Sequence, residues 1–192
     1  QKGGALGRGY ICHICFNDLG PTATADFITK FQILIHTWLA CNGFSVGIDD
    51  MLTPIDIRHA VQKERRQTFI DAAELTDELK INERLNICRD KTGKMVQEQL
   101  DDSNNLYVMS TAGSKGSTLN LSQIMANVGQ QQLMGKRIPN TWTGRTLPHF
   151  KRGEQSIVEK GFVEHCYLEG LSPFEVFNHG ISGREGIIDT AV

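Results

Sequence analysis

The chain has 192 residues, 40% of them apolar, enough to bury a core in one domain or two small ones. Its formal charge of −2 gives no global pull toward nucleic acid or an acidic membrane. No apolar run approaches the roughly 20 residues a membrane span needs, so no membrane partner is expected. Five cysteines, at 12, 15, 41, 88 and 166, form no disulfide framework and suit a reducing compartment.

In chain order, "QKGGALGRG" is a Gly-rich lead-in, and "YICHICF" has the β-branched and aromatic content of a short buried strand. After the turn "NDLGP", Phe27, Phe31, Leu34 or Ile35, and Trp38 recur at helical spacing and predict a helix over residues 24–41, with Gly43 as a left-handed cap. Thr53 then reads as a helix cap, Pro54 as the first helical residue, and Asp56 as a charge suited to the helix dipole. The stripe Ile57, Val61, Thr68, Ala72, Leu75, Leu79 predicts a long amphipathic helix. A second, over about residues 82–100, carries Leu85, Cys88, Met95 and Val96, and the short link implies an antiparallel hairpin. A mixed region follows, with a helix predicted over residues 121–132 and a loop from Gly135 onward.

The last segment opens on Ser172, Pro173 and Glu175, a capping box with proline at the first helical position. Gly180, Gly183 and Gly186 follow, each costing about 1 kcal/mol relative to alanine inside a helix. Ile187, Ile188, Ala191 and Val192 resume a helical pattern, so the helix is predicted to continue through the glycines. Spaced by three, the glycines bare one strip for close approach and ease bending. The chain stops at Val192 within that pattern, as an excised piece would, and fraying is expected from about Gly180 onward.

Candidate chemistry is sparse. Cys12, His13 and Cys15 are at most half a zinc site, and no second ligand pair follows, so no metal is expected. Gly113-Ser114-Lys115-Gly116-Ser117 has the ingredients of a phosphate nest, but it lacks Walker spacing, and an ordinary surface turn is the better reading of the residues alone. Gln130, Gln131 and Gln132 read as a solvated helix end in preference to the lining of a polar channel. From Gly135 to Gly153 there are five cations and no acid, interleaved with Trp142, His149 and Phe150. Such a stretch is usually a solvated loop, and the alternative is a contact with a phosphate backbone. Asp49 and Asp50 need only a turn role, and no catalytic constellation is visible.

Several ordered motifs carry a resemblance: "NGFSVGI" (Asn42 to Ile48), "AGSKGS" (Ala112 to Ser117), "VGQQ" with "GKRIP" (Val128 to Pro139), "RTLPHF" (Arg145 to Phe150) and "GREGIIDTAV" (Gly183 to Val192). From about Thr29 onward the chain resembles the largest subunit of cellular RNA polymerases, most closely that of polymerase II, while "ISGREG" is also similar to polymerase III. The resemblance implies a mainly α fold with minor β. It implies the end of the pore region over residues 1–52, a funnel helical hairpin over 53–110, a mixed funnel and cleft region over 111–171, and the start of a truncated bridge helix over 172–192.

It further implies a part of a nuclear, DNA-directed nucleotidyltransferase that works with the other subunits, the second-largest above all, with DNA template and RNA, with nucleoside triphosphates, and with a transcript-cleavage factor at the funnel. Lys115, with Ser114 and Gly116 beside it, matches a lysine near the entering triphosphate. Asn86, Arg89, Gln123, Gln130, Gln131, Gln132, Lys136, Arg137, Tyr167, Ser182, Gly183 and Glu185 match positions grouped under the bridge helix where amatoxins bind. Gly180, Gly183 and Gly186 match its flexible part.

Two positions depart from the polymerase II pattern: Gln132 replaces a serine and Ser182 a glycine, which implies weak amatoxin sensitivity. The link between the hairpin helices is also shorter than usual. No residue here is expected to be catalytic, and the Mg2+ of the parent enzyme would bind an acidic loop upstream, so the isolated chain is expected to be inactive. The rival readings are a stand-alone nucleotide-binding domain using Gly113 to Ser117, a helical protein-interaction module, and the largest subunit of polymerase I or III.

Overall fold

A computed structural model describes residues 9–191, so most of the Gly-rich lead-in lies outside the described residues. The fold is mainly α with minor β, 60% helix against 4% strand. It divides into two compact units, one of Gln1–Asp50 with Asp101–Ser117 and the other of Met51–Leu100 with Thr118–Val192.

In the first unit, α1 (Ile11–Asn42) is broken at Gly20, whose φ of 83° and ψ of 173° precede Pro21. The predicted turn is therefore present as a kink, but the segment before it is helix, not strand. β-branched content is a weak preference, and no strand among the described residues pairs with residues 10–16, whereas a helix satisfies its own backbone. Gly43 ends α1 with φ 69°, its N–H donating to Leu39 O at 2.7 Å, yet its ψ of 169° is extended and not that of a left-handed helical cap. Asn104 caps α4 (Asn105–Ala112) by accepting the Tyr107 N–H at 3.0 Å, and Gly113 closes it in a left-handed conformation. Asp50 ties the unit together: its Oδ2 accepts the Gly47 N–H at 2.8 Å, its Oδ1 the Asn105 N–H at 3.2 Å, and its carbonyl the Asn104 amide at 2.7 Å.

The second unit is built on α2 (Ile55–Ala73) and α3 (Glu78–Gln97). Their antiparallel pairing is visible in two ion pairs, Asp71 with Arg84 at 2.8 Å and Glu64 with Lys91 at 2.7 Å, in which seven residues forward on one helix match seven back on the other. Thr53 does not cap α2. Pro54 holds that position, and the Thr53 hydroxyl is buried, donating to Met125 O at 3.3 Å. Asp77 caps α3 by accepting the Leu79 N–H at 3.0 Å, which moves Leu79 from the predicted stripe of the first helix to the exposed first turn of the second. The core joins Ala72, Ile81 and Leu85 to Phe162, with Phe69 edge-on to the Phe162 ring at 5.4 Å.

α5 (Thr118–Met125) packs on α3 and ends earlier than predicted. The Ala126 and Asn127 N–H groups both donate to Ser122 O, Asn127 is wholly buried with its amide on Thr92 Oγ1 at 3.2 Å, and Gly129 takes φ 86°, which no helix accommodates. The three glutamines thus leave the predicted helix end for extended chain. Gly129–Gln130 (β1) pairs antiparallel with Phe162–Val163 (β4), and Gln132–Leu133 (β2) with Lys136–Arg137 (β3). A two-residue turn joins β2 to β3, with Met134 at φ 53° and Gly135 at φ 72°.

The last helix, α6 (Pro173–Ala191), runs unbroken through all three glycines. Glu175 anchors its start. The carboxylate, only 2% exposed, accepts the Ser172 N–H and hydroxyl at 2.8 and 2.7 Å, the Glu164 and His165 N–H groups at 2.8 and 3.3 Å, and lies 2.8 Å from His165 Nδ1. The Ser172 hydroxyl therefore donates to the glutamate instead of accepting a helix N–H.

Candidate functional site

Buried or half-buried Glu175, Asn178, Ser182 and Glu185 recur at three- and four-residue spacing and form the inward stripe of α6. Gly180, Gly183 and Gly186 lie on the exposed remainder, and a Cβ built on any of them meets nothing within 4 Å. Their strip faces open space and not the body of this chain.

Opposite the inward stripe is a polar hollow of about 450 Å³ lined by Asn86 and Arg89 of α3, Gln123 of α5, Val128, Gln130, Gln131 and Gln132 of the strand segment, and Ser182 of α6. Backbone geometry makes room for it: Gly129 needs its positive φ, and a Cβ there would lie 3.0 Å from Arg89 Cδ, so glycine lets the arginine stem pass.

The three consecutive glutamines of the wall are each held. Gln130 Nε2 donates to Gln131 O at 2.7 Å and Lys160 O at 2.8 Å, and Gln131 Nε2 to Gly129 O at 3.1 Å. Gln132 Nε2 donates to Asn82 Oδ1 at 3.1 Å, and the Arg89 guanidinium binds Asp90 Oδ1 at 2.9 Å. A carbonyl can only accept, so Gly129 O fixes the Gln131 amide with its oxygen turned to His179 Nδ1 at 2.9 Å. His179 Nε2 lies 3.1 Å from the Tyr167 hydroxyl. Burial raises the pKa of that phenol. Glu185 accepts the Met134 N–H at 2.7 Å, so the strained apex of the β2–β3 turn is fastened to α6.

The structure brings Asn86, Arg89, Gln123, Gln130, Gln131, Gln132 and Ser182 together and joins Tyr167 and Glu185 to the same supports. Gly183 lies on the open strip. Lys136 and Arg137 instead line a neighbouring hollow of about 320 Å³ with Glu78. There Arg137 binds Glu78 through Nε at 2.7 Å and Nη2 at 2.8 Å, and these hydrogen bonds hold the Glu78 carboxyl below its usual range. Ser114, Lys115 and Gly116 are exposed in the other unit, on the loop after α4, where the Ser114 N–H donates to Met109 O at 3.2 Å and Gly116 takes φ 75°. Among the described residues, no group of three or more His, Cys, Asp or Glu could hold a metal ion. None of their helices is long and apolar enough to cross a membrane.

Sequence reasoning missed His179, Asn82 and Lys160, whose carbonyl fixes Gln130. Only His179 left a signal, standing four residues after Glu175 on the inward side of α6.

Residues 3–51 match the family described as RNA polymerase Rpb1, domain 3, and residues 59–163 match RNA polymerase Rpb1, domain 4. The second match alone covers more than half of the 192 residues, and the two follow one another in order. The chain therefore belongs to the RNA polymerase Rpb1 family and is part of the largest subunit of a DNA-directed RNA polymerase, a nucleotidyltransferase.

Proposed function

We propose that this chain forms the secondary-channel funnel of a nuclear RNA polymerase II together with the start of its bridge helix. The observation that carries the reading is the convergence of Asn86, Arg89, Gln123, the three glutamines and Ser182 on one polar hollow beside α6. The glutamine amides of the wall, Gln123, Gln130, Gln131 and Gln132, each donate to a backbone or side-chain partner, which supports reading the hollow as a rigid support for the helix.

In this reading the α2–α3 hairpin surrounds the passage for nucleoside triphosphates and receives the transcript-cleavage factor. Lys115, flanked by Ser114 and Gly116, meets the phosphates of the arriving substrate. The bridge helix, held at Glu175, His179 and Glu185, bends at its glycines during translocation along DNA template and RNA. Many apolar side chains of α1 are exposed, Leu19, Leu34 and Trp38 at 69%, 63% and 57%, which supports burial against other subunits, the second-largest among them. In this reading the catalytic Mg2+ is held by an acidic loop of the parent enzyme, and the isolated chain catalyses no nucleotide addition.

In the assembled polymerase, Lys115→Ala should raise the KM for nucleoside triphosphates several-fold with a smaller change in kcat, and the chain should be captured by the second-largest subunit. Tight ATP binding by the isolated chain, abolished by Lys115→Ala, would instead favour a self-contained nucleotide site.

A further inference from the structure

The loop over residues 141–153 is not accounted for by the channel. It holds Trp142, the most exposed large apolar side chain among the described residues at 97%, in a chain with only two tryptophans. Exposing a whole indole forgoes the largest apolar burial any side chain offers, so its position needs a reason.

The loop is also well ordered. Thr141 N–H and Oγ1 donate to Arg145 O at 3.0 and 2.8 Å, the Gly144 N–H donates to Thr141 O at 2.9 Å, and the Gly153 N–H to Gly144 O at 2.8 Å. That last bond brings Lys151 and Arg152 alongside the turn that carries Trp142 and Arg145. At the base, the rings of His149, Phe150 and Phe174 cluster with centroids 4.5 to 5.9 Å apart and fasten the loop to the first turn of α6.

The charge is one-sided. No acid lies between Gly135 and Gly153, and the nearest, Glu154, is turned onto the Lys151 N–H at 3.1 Å. Glu159 is fully buried, with one oxygen on the Thr146 N–H and hydroxyl. The chain as a whole is slightly acidic, so attraction for a polyanion here is local. A bare aromatic face beside three cations matches what single-stranded nucleic acid needs: a surface for one base to stack on, with charges for the flanking phosphates.

We propose that this loop is a contact for single-stranded RNA, in which one base stacks on Trp142 and the neighbouring phosphates are held by Arg145, Lys151 and Arg152. The contact is independent of the channel reading, since it uses none of the hollow's residues.

The test titrates the full chain carrying Trp38→Phe, in which Trp142 is the sole tryptophan, with a ten-nucleotide oligouridylate. Saturable quenching of its fluorescence is expected, with log affinity falling against log salt at a slope of about −2, as three phosphate contacts on a single strand give. Trp142→Ala should lower the affinity for the labelled oligonucleotide about tenfold, and Trp142→Phe should keep most of it. Lys151→Ala with Arg152→Ala, which removes two of the three phosphate contacts, should flatten the slope by about 1.4. Four results would each overturn the proposal: no saturable quenching, equal binding of a duplex RNA of the same length, indifference to Trp142→Ala, or displacement of the oligonucleotide by a polyglutamate peptide at equal charge, which would mark a protein-docking loop. Because the indole touches no core, its removal should leave the circular dichroism unchanged. If Trp142→Ala did not fold, the phenylalanine and Lys151/Arg152 variants would still decide.

Discussion

A Cβ built on Gly93 of α3 would lie 2.7 Å from both the Cβ and the Oγ of Ser122 on α5. The two helices therefore cross at a separation that only glycine permits, and the Ser122 hydroxyl donates to Arg89 O at 3.2 Å beside the crossing. Gly93→Ala gains about 1 kcal/mol of helix propensity but overpacks the crossing by about 1–3 kcal/mol. The expected net is a loss of about 1 kcal/mol in urea unfolding. Ser122→Gly in the same chain should recover part of that loss, because the partner atoms of the clash are gone. An increase in stability from Gly93→Ala alone would mean that the helices separate freely and that the crossing does not fix the wall of the hollow.

Glu175 should make the start of α6 sensitive to acid. Burial works to raise its pKa, but the hydrogen bonds from the Ser172 hydroxyl and N–H, the Glu164 N–H and His165 outweigh it, and the carboxyl sits below its usual range. A depressed folded-state pKa stabilises the fold fully above the unfolded value, near 4.3, and that stabilisation is lost as pH falls through the folded value. Melting temperature should therefore hold steady down to about pH 5 and decline below about pH 4. Glu175→Gln should destabilise the chain at pH 7 by about 2 kcal/mol, the scale of hydrogen bonds to a charged group, and flatten the acid decline. An unchanged acid limb in that variant would assign the decline to other carboxylates.

Glu175 also shows what was readable from sequence. The Ser-Pro-x-Glu pattern is local, so helix start and anchor were both legible, as was the α2–α3 hairpin from its apolar period. The strands were not. Gln130 belongs to β1 because Phe162, more than thirty residues away, pairs with it, and no local pattern around three glutamines reports that partner. Residue types alone favoured a solvated helix end for those glutamines, and only the family resemblance pointed to a shared polar site. The opposite error occurred at residues 10–16, where β-branched content outweighed a helical period too short to detect before the break at Gly20.

Gly180, Gly183 and Gly186 leave open space where a Cβ would stand, so alanine at all three should cost no packing within this chain. It should instead add about 1 kcal/mol of helix stability at each position. In the unsubstituted chain, amides over residues 183–191 are expected to exchange within the fastest class of helical amides, because that half of α6 is almost wholly exposed. The triple variant should slow their exchange markedly. If the glycines serve bending, the same variant in the assembled polymerase should slow elongation while leaving triphosphate KM nearly constant. Faster or unchanged elongation would remove bending as their purpose.

The two departures inside the hollow give the most specific expectation for the assembled enzyme. Gln132 and Ser182 both line it, the first from β2 and the second from α6, so their extra atoms occupy space at the proposed amatoxin position. Gln132 is held in place by Asn82 at 3.1 Å and cannot simply swing aside without leaving that amide unpaired. Overpacking of this kind costs about 1–3 kcal/mol, so the toxin should bind at least about fivefold more weakly than to a hollow with serine and glycine at these positions. Gln132→Ser combined with Ser182→Gly should restore about that factor in a transcription-inhibition assay, with most of the gain requiring both changes. Inhibition of the unsubstituted enzyme at the doses that stop the double variant would show that the hollow tolerates the longer amide and the hydroxymethyl group, and that neither residue narrows it.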